Sequence, residues 1–93
     1  MNESSLVRVT AATAQVTVRY FASARAATGS AEETVTACTV ADALAQIRGR
    51  HGAWLGKILD ASSLLLDGRC VRDEQTMLAP GAILDVLPPF AGG

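Results

Sequence analysis

Apolar and polar residues alternate along Gln15–Phe21, and this period of two predicts the first β-strand. Three side chains share the face that is expected to enter the core: Val16, Val18 and Tyr20. The opposite face carries Arg19 and Phe21. The alanine-rich stretch Phe21–Gly29 then predicts a short helical turn that ends at its glycine. A second segment, Glu33–Cys38, predicts a strand that forms an antiparallel hairpin with the first.

The clearest helical pattern lies in Thr39–His51. Four apolar residues recur at helical spacing and form one stripe: Val40, Ala43, Leu44 and Ile47. Thr39 is predicted to be the N-cap, with Asp42 as its capping-box partner. His51 lies in a basic last turn, so we interpret it as a surface residue that favours the helix dipole rather than as a catalyst or ligand. Gly52 is expected to end the helix in the left-handed conformation.

The second half of the chain predicts one short apolar segment and three strands. Ala53–Leu59 is interpreted as an irregular or helical piece in which Trp54 covers an edge of the core. A tight turn at Asp67-Gly68 and a loop over Asp73–Gly81 separate the predicted strands, which are Leu64–Leu66, Arg69–Arg72 and Ala82–Leu87. This order of elements predicts a two-layer α+β domain with the helix on one face of the sheet.

Composition limits the classes of protein that remain. The 93 residues are 49% hydrophobic and 18% charged, with a formal net charge of -1. These values predict a globular domain and argue against nucleic-acid binding, which requires a basic face. We expect a flexible extension over residues 1–14, a domain over 15–87 and a tail over 88–93. Residues 1–14 lack the apolar run of a secretory signal, and no segment has the ~20 apolar residues of a membrane span, so we expect a cytoplasmic protein.

No pattern of catalytic or metal-binding residues stands out. The sequence has one histidine, no Cys-x-x-Cys or His-x-x-x-His spacing and no glycine-rich phosphate loop. Cys38 and Cys70 are interpreted as reduced, partly buried residues without sulfur chemistry. We therefore expect that the chain is not an enzyme on its own, and that it binds no metal and holds no cofactor stably.

The segment with the most distinctive chemistry is the C-terminal run Pro88-Pro89-Phe90-Ala91-Gly92-Gly93. The prolines favour an extended, stiff backbone that projects from a domain. The two glycines lack a Cβ, so they fit a narrow slot and leave the carboxylate of Gly93 unhindered. An extended chain from Pro88 to Gly93 reaches roughly 20 Å, which is enough to enter the active site of a partner.

The outward face of the predicted sheet carries apolar residues near this tail. If Leu84 and Val86 face the helix, then Leu87 shares the outward face with Asp85. On the first strand, Phe21 shares that face with Arg19. Phe21 and Leu87 would then form an exposed apolar patch near the exit of the tail, as interfaces commonly do.

The chain resembles the ubiquitin-like sulfur carriers of the MoaD/ThiS family, and most closely the small subunits of molybdopterin synthase. Two motifs carry the resemblance: Phe21-Ala22-x-x-Arg25-x-x-x-Gly29 after the first strand, and Pro88-Pro89-Phe90-Ala91-Gly92-Gly93 at the C-terminus. Thr39-Val40-x-x-Ala43-Leu44 and Trp54 are similar to the family as well, and the resemblance covers about Gln15–Gly93. The chain departs from the family in having Gly81-Ala82-Ile83 where Gly-Asp-Glu is common.

The resemblance implies a β-grasp fold, a mixed sheet with one main helix on one face. It implies that a ubiquitin-activating-type adenylyltransferase uses ATP to adenylate Gly93, and that a sulfurtransferase donor converts the adduct to a thiocarboxylate. Gly92 and Gly93 would be the reacting end of the chain. Further residues would bind partners: Phe21, Val71, Leu87, Pro88, Pro89, Phe90 and Ala91. The tail would enter the large subunit of molybdopterin synthase, in a heterotetramer whose catalytic pocket is on that subunit.

Other functions use the same chemistry. Related carriers supply sulfur for thiamine thiazole or for cysteine synthesis, and the paired prolines favour the molybdopterin role over the thiazole role. A ubiquitin-like modifier conjugated through Gly93 is a further alternative, although Lys57 is the single lysine available for self-linked chains. The last alternative function is a plain interaction domain whose Gly-Gly end is incidental.

Overall fold

The computed structural model describes residues 13–89. Along this part of the chain, the elements follow in the order β1 (Ala14–Tyr20), α1 (Ala22–Thr28), β2 (Glu32–Ala37), α2 (Val40–His51), α3 (Ala53–Ala61), β3 (Ser63–Leu66), β4 (Arg69–Cys70) and β5 (Ile83–Leu87). The extension predicted over residues 1–14 lies outside the described residues except for its last two. Of these, Ala14 is 4% exposed and already belongs to β1, so the strand begins earlier than predicted.

The five strands form one mixed sheet in the order β2-β1-β5-β3-β4. β1 and β5 are parallel neighbours in the middle, with Val18 opposite Leu84. The other three pairings are antiparallel. A parallel pair requires a long crossover, and the helices α2 and α3 lie in the chain between its two strands. The predicted α+β architecture is confirmed.

The core lies between one face of the sheet and the helices. Along β1, the predicted inward residues Val16, Val18 and Tyr20 are at most 1% exposed. The four residues of the apolar stripe on α2 are also buried. Leu55 and Leu59 of α3 complete the helical side of the core. Spacing of two on the strands and of three to four on the helices therefore accounts for the core.

The C-terminal end of α1 and the N-terminal end of α2 follow the predicted capping pattern. Gly29 ends α1 in the left-handed conformation, with φ of 74°. Thr39 Oγ1 accepts a hydrogen bond from the Asp42 N–H at 3.1 Å, as an N-cap does. The Asp42 carboxylate in turn accepts from the N–H of Cys38 at 3.0 Å, one residue before the N-cap. Both interactions fix the direction in which the chain enters α2.

The junction between α2 and α3 differs from the prediction. Gly52 has φ of 82° but ψ of -164°, so it is not in the left-handed helical region. The reason is that α3 begins at the next residue, and Gly52 must be extended in ψ to start a new helix. Of the two predicted alternatives for the next segment, irregular or helical, the structure shows a helix over Ala53–Ala61. Trp54 does not cover the core as predicted, because it is 66% exposed on the outer side of this helix.

The turn between β3 and β4 has the predicted geometry. Asp67 and Gly68 have positive φ angles of 48° and 83°, which the two central residues of a type I′ turn require. β4 is shorter than predicted, with only Arg69 and Cys70 in the strand. Val71 leaves the strand, but its N–H still donates to the carbonyl of Leu64 at 2.9 Å.

Helix α2 also covers the outer edge of the sheet at β2. The Gln46 amide donates to the carbonyl of Thr36 at 2.5 Å, and Arg50 Nη1 donates to that of Thr34 at 3.0 Å. These two carbonyls therefore have partners although β2 has a neighbouring strand on one side only. No helix within residues 13–89 has the length and apolar character needed to cross a membrane.

Candidate functional site at the base of the tail

The parallel strands β1 and β5 end side by side at the place where the tail begins. Tyr20 lies opposite Val86, so Phe21 and Leu87 are the next residues along the two strands. The N–H of Phe21 donates to the Val86 carbonyl at 3.3 Å, and this hydrogen bond holds the ends of the two strands together. Phe21 is 39% exposed, and Leu87 is half-buried. The structure thus brings these two predicted site residues together on the open face of the sheet.

An ion pair supports this open face. Arg19 donates to both carboxylate oxygens of Asp85, from Nε at 2.6 Å and from Nη2 at 2.9 Å. The hydrogen bond with Asp85 and its negative charge raise the pKa of Arg19 above its ordinary value. The Arg19 guanidinium carbon also lies 5.8 Å from the centre of the Phe21 ring, within the range of a cation–π interaction. Arg19 therefore contacts both the buried carboxylate and the exposed ring.

Val71 lies apart from Phe21 and Leu87. It packs against the hydrophobic core, like its hydrogen-bonding partner Leu64. Leu64 is paired with the buried Val86, whereas Leu65 is paired with Asp85 and Cys70. Because successive side chains of a strand point to opposite faces, Leu65 and Cys70 share the open face with Asp85, and Val71 belongs to the core side. Residue alternation thus separates Val71 from the predicted patch.

The first residues of the tail are anchored to the domain. Pro88 is buried directly after β5, and Pro89 is exposed. The other predicted tail residues, Phe90, Ala91, Gly92 and Gly93, lie outside the described residues. The tail therefore starts from a fixed position beside Phe21 and Leu87.

A second polar cluster joins β1, β2 and α2. The Glu33 carboxylate accepts hydrogen bonds from the hydroxyl of Tyr20 at 2.5 Å and from Arg50 at 2.7 Å, and it contacts His51 Nε2. Burial raises the pKa of Glu33, but the hydrogen bonds from Tyr20, Arg50 and His51 outweigh it and lower that pKa. Burial and the bond to Glu33 raise the pKa of Tyr20. His51 is therefore part of a structural network, in addition to its place in the last turn of α2.

The described residues include both cysteines and other side chains of the types that bind metal ions. Within residues 13–89, no group of three or more histidine, cysteine or acidic side chains is placed to hold a metal ion. Cys38 is half-buried and Cys70 is exposed, and both are free thiols. The prediction that both cysteines are partly buried is therefore wrong for Cys70, because it lies on the short edge strand β4.

Sequence patterns located Phe21 and Leu87 but missed the Arg19–Asp85 pair. The pattern placed each of these charges on the outward face of its strand. It did not show that the two strands are parallel neighbours, because their pairing joins residues 66 positions apart. Opposite charges at matching outward positions would have been the signal, once that pairing was known.

Comparisons with known proteins agree with this architecture. The model of the ThiS family matches residues 18–93. SAMP1 from Haloferax volcanii is 26% identical, with a TM-score of 0.75 over 85% of this chain and 99% of that chain. A putative molybdopterin converting factor subunit 1 from Pyrococcus furiosus is 27% identical, with a TM-score of 0.69 over 82% of this chain and 98% of that one. No curated protein sequence gives a significant match.

A further similar structure comes from a complex. It is the protein–protein complex of subunits 1 and 2 of molybdopterin-converting factor from Helicobacter pylori. The match is 23% identical, with a TM-score of 0.68 over 85% of this chain and 99% of that chain, and so it shows the fold. The sheet topology and these similar structures confirm the β-grasp fold. The family match covers most of the chain, and the protein therefore belongs to the ThiS family of MoaD/ThiS-like, ubiquitin-fold sulfur carriers.

Proposed function

We propose that the chain carries sulfur as a thiocarboxylate on Gly93 and donates it in molybdopterin synthesis, as the small subunit of molybdopterin synthase. The activating enzyme, an adenylyltransferase, joins the Gly93 carboxylate to AMP from ATP and releases pyrophosphate. A persulfide of the sulfurtransferase donor then attacks the acyl carbon, and AMP leaves with one carboxylate oxygen. A second thiol cleaves the resulting acyl disulfide, which releases the thiocarboxylate and leaves a disulfide on the donor. The large subunit receives the tail and uses the thiocarboxylate sulfur. The carrier supplies no catalytic pocket of its own.

The observation that carries this proposal is the position of the tail. β5 ends at Leu87, whose strand is held to Phe21 through the Val86 carbonyl, and the chain continues through the buried Pro88. An apolar patch at the base of the tail supports docking of the domain while the tail enters an active site. Binding of the domain holds the reacting end at the acceptor and raises its effective concentration there. Free sulfide would have no such advantage, because it is not held by binding. A solved complex of subunits 1 and 2 of a similar factor supports a large-subunit partner.

The direct test is the intact mass of the chain after incubation with ATP, the activating enzyme of the same organism and a sulfur donor. Replacement of one oxygen by sulfur adds about 16 Da, and the gain should be confined to the C-terminal peptide. Omission of ATP is the control, because adenylation must precede sulfur transfer. An unchanged mass with an active activating enzyme would contradict the proposal. Formation of molybdopterin after addition of the large subunit would separate this role from thiazole or cysteine synthesis.

A second candidate is a protein modifier joined to lysines of other proteins through Gly93. The similarity to SAMP1, small archaeal modifier protein 1, favours this alternative. Lys57 is the single lysine of the chain, so self-linked chains would have one attachment site. Tagged chain recovered from cells under denaturing conditions would distinguish the roles. Gly93-to-lysine isopeptides on other proteins would identify a modifier, whereas a pure sulfur carrier would give none.

A further inference from the structure

An apolar groove lies beside the base of the tail, on the helical side of the molecule. It has a volume of about 210 Å³. Its walls come from three elements of the fold, and the residues that line it are Trp54, Lys57, Ile58 and Ala61 of α3, Ser23 of α1, and Pro88 with Pro89 after β5. The groove is separate from the open sheet face that carries Phe21 and Leu87.

The spacing of residues along α3 explains the groove. Trp54, Ile58 and Ala61 recur at intervals of four and three, so they form one face of the helix. The adjacent face of the helix carries Leu55 and Leu59, which are buried in the core. Ile58 is half-buried and packs against the core, so the face that it shares with Trp54 is only partly used for folding. The indole of Trp54 remains 66% exposed, although a large aromatic side chain gains most from burial.

We propose that this groove is a second docking area for the large subunit, on the side of the tail opposite to Phe21 and Leu87. The proposal rests on the proposed function, because it assumes that the large subunit takes up the tail. The occupant is an apolar side chain of that subunit with a carboxylate next to it. The partner would thereby hold the base of the tail from both layers of the domain.

Continuity with the tail carries this assignment. Pro88 and Pro89 form one wall of the groove, and they are also the first residues of the segment that the partner must enclose. A protein that surrounds the chain beyond Pro89 therefore passes over the mouth of the groove. Trp54 lies in the apolar wall that α3 gives to the groove. Tryptophan is among the residues most enriched in binding hot spots.

The charges at the groove favour an acidic group on the partner. Lys57 is the cation that lines it, and the nearest carboxylate along α3, Asp60, is paired with Arg48 at 2.8 Å. Asp60 is thus held toward α2 rather than toward Lys57. A partner carboxylate beside the apolar side chain would complement the charge of Lys57.

The test uses Trp54 as its own reporter. It is the only tryptophan in the chain, so incorporation of 5-fluorotryptophan gives a single ¹⁹F resonance from the groove. The full chain is titrated with purified, unlabelled large subunit from the same organism. We expect the resonance to shift with saturation and to become less sensitive to the fraction of D₂O, because the indole leaves solvent.

Variants measure the contribution of the groove to affinity. Trp54→Ala should weaken the complex about thirtyfold in titration calorimetry, as loss of a central aromatic anchor does. Met77→Ala is the matched control, because Met77 is also highly exposed, at 62%, and lies outside the groove. Lys57→Glu should weaken binding by roughly fivefold and more strongly at low salt, whereas Lys57→Arg should bind like the wild type. Circular dichroism checks that each variant is folded.

The outcomes separate the groove from the function. If the large subunit binds but the ¹⁹F resonance and the affinity of Trp54→Ala are unchanged, the groove is not a docking area and the proposed function stands. If the large subunit does not bind, the proposed partner itself is wrong. If deletion of residues 90–93 shifts the resonance of the free chain as much as the partner does, the tail occupies the groove and the proposal fails.

Discussion

Arg19 and Asp85 join the parallel strands β1 and β5 through two hydrogen bonds, at 2.6 Å and 2.9 Å, on the open face of the sheet. Asp85 is only 7% exposed, so its carboxylate depends on the guanidinium for compensation. A buried charge without a partner is strongly destabilising. We therefore expect Arg19→Met to lower the melting temperature more than the double variant Arg19→Met/Asp85→Leu, which leaves no carboxylate behind. Differential scanning calorimetry of both variants measures this order.

The single variant Asp85→Asn completes the comparison. It keeps the shape of the side chain and removes the charge, so it should be less damaging than Arg19→Met. Equal melting temperatures for Arg19→Met and the double variant would show that Asp85 needs no compensating charge.

Leu87 and Phe21 are expected to contribute to binding rather than to folding. Both side chains are expected to be central anchors at the base of the tail. Replacing either one by alanine should therefore lower the affinity for the partner about thirtyfold. Titration calorimetry of Leu87→Ala and Phe21→Ala with the large subunit measures this change. Ile83→Ala is a matched control, because Ile83 is 36% exposed on the same face of β5 at its far end. Loss of affinity in the control equal to that in Leu87→Ala would place the interface elsewhere.

Val71 should behave differently from these two residues. It packs against the core, so Val71→Ala removes buried methyl groups and should lower the free energy of unfolding by about 1 kcal/mol. Urea unfolding measures this loss. Under conditions in which the variant is fully folded, its affinity for the partner should stay close to that of the wild type. A thirtyfold loss of affinity would show that Val71 belongs to the docking patch.

Sulfur transfer should fail when the chain is extended by one alanine after Gly93. The added residue moves the carboxylate by about 3.5 Å and places a Cβ beside the reacting carbon. A misplacement of about 1 Å can reduce a rate a hundredfold, so no thiocarboxylate is expected by mass spectrometry. Gly92→Ala should be similarly harmful, and Pro88→Ala milder. Full sulfuration of the extended chain would rule out insertion of the tail into a narrow active site.

Stability should fall in acid because of Glu33. Its pKa is lower in the folded state than the ordinary value of 4.5, so the folded protein favours the ionised form. The contribution is present above that ordinary value and is lost as the pH falls through the lower folded-state pKa. Glu33→Gln should therefore show a weaker loss of stability in acid than the wild type, measured by urea unfolding between pH 7 and pH 2. Tyr20→Phe removes one donor to Glu33, so its loss of stability in acid should lie between those of the wild type and Glu33→Gln. Identical profiles for the wild type and Glu33→Gln would contradict this role of Glu33.

Local patterns predicted the elements of this fold well, because they are set by neighbours in sequence. The alternation of Val16, Val18 and Tyr20 and the cap of Thr39 on Asp42 are decided within a few residues. The features that were wrong or missed depend on distant segments. The side on which Val71 packs follows from where β4 ends, and the exposure of Trp54 follows from how α3 docks on the core. The pairing of Arg19 with Asp85 requires the parallel contact of the first and last strands.

The hydrogen bonds that Gln46 and Arg50 of α2 donate to the outer edge of the sheet, at β2, have a consequence for assembly. A free strand edge is a template for adding another strand, which drives both peptide capture and aggregation. Here the side chains of Gln46 and Arg50 already bond the carbonyls of Thr36 and Thr34, and the opposite edge, β4, is only two residues long. Both features disfavour lengthening of the sheet by an incoming chain. We therefore expect the domain to resist the addition of a segment from another copy as an extra strand.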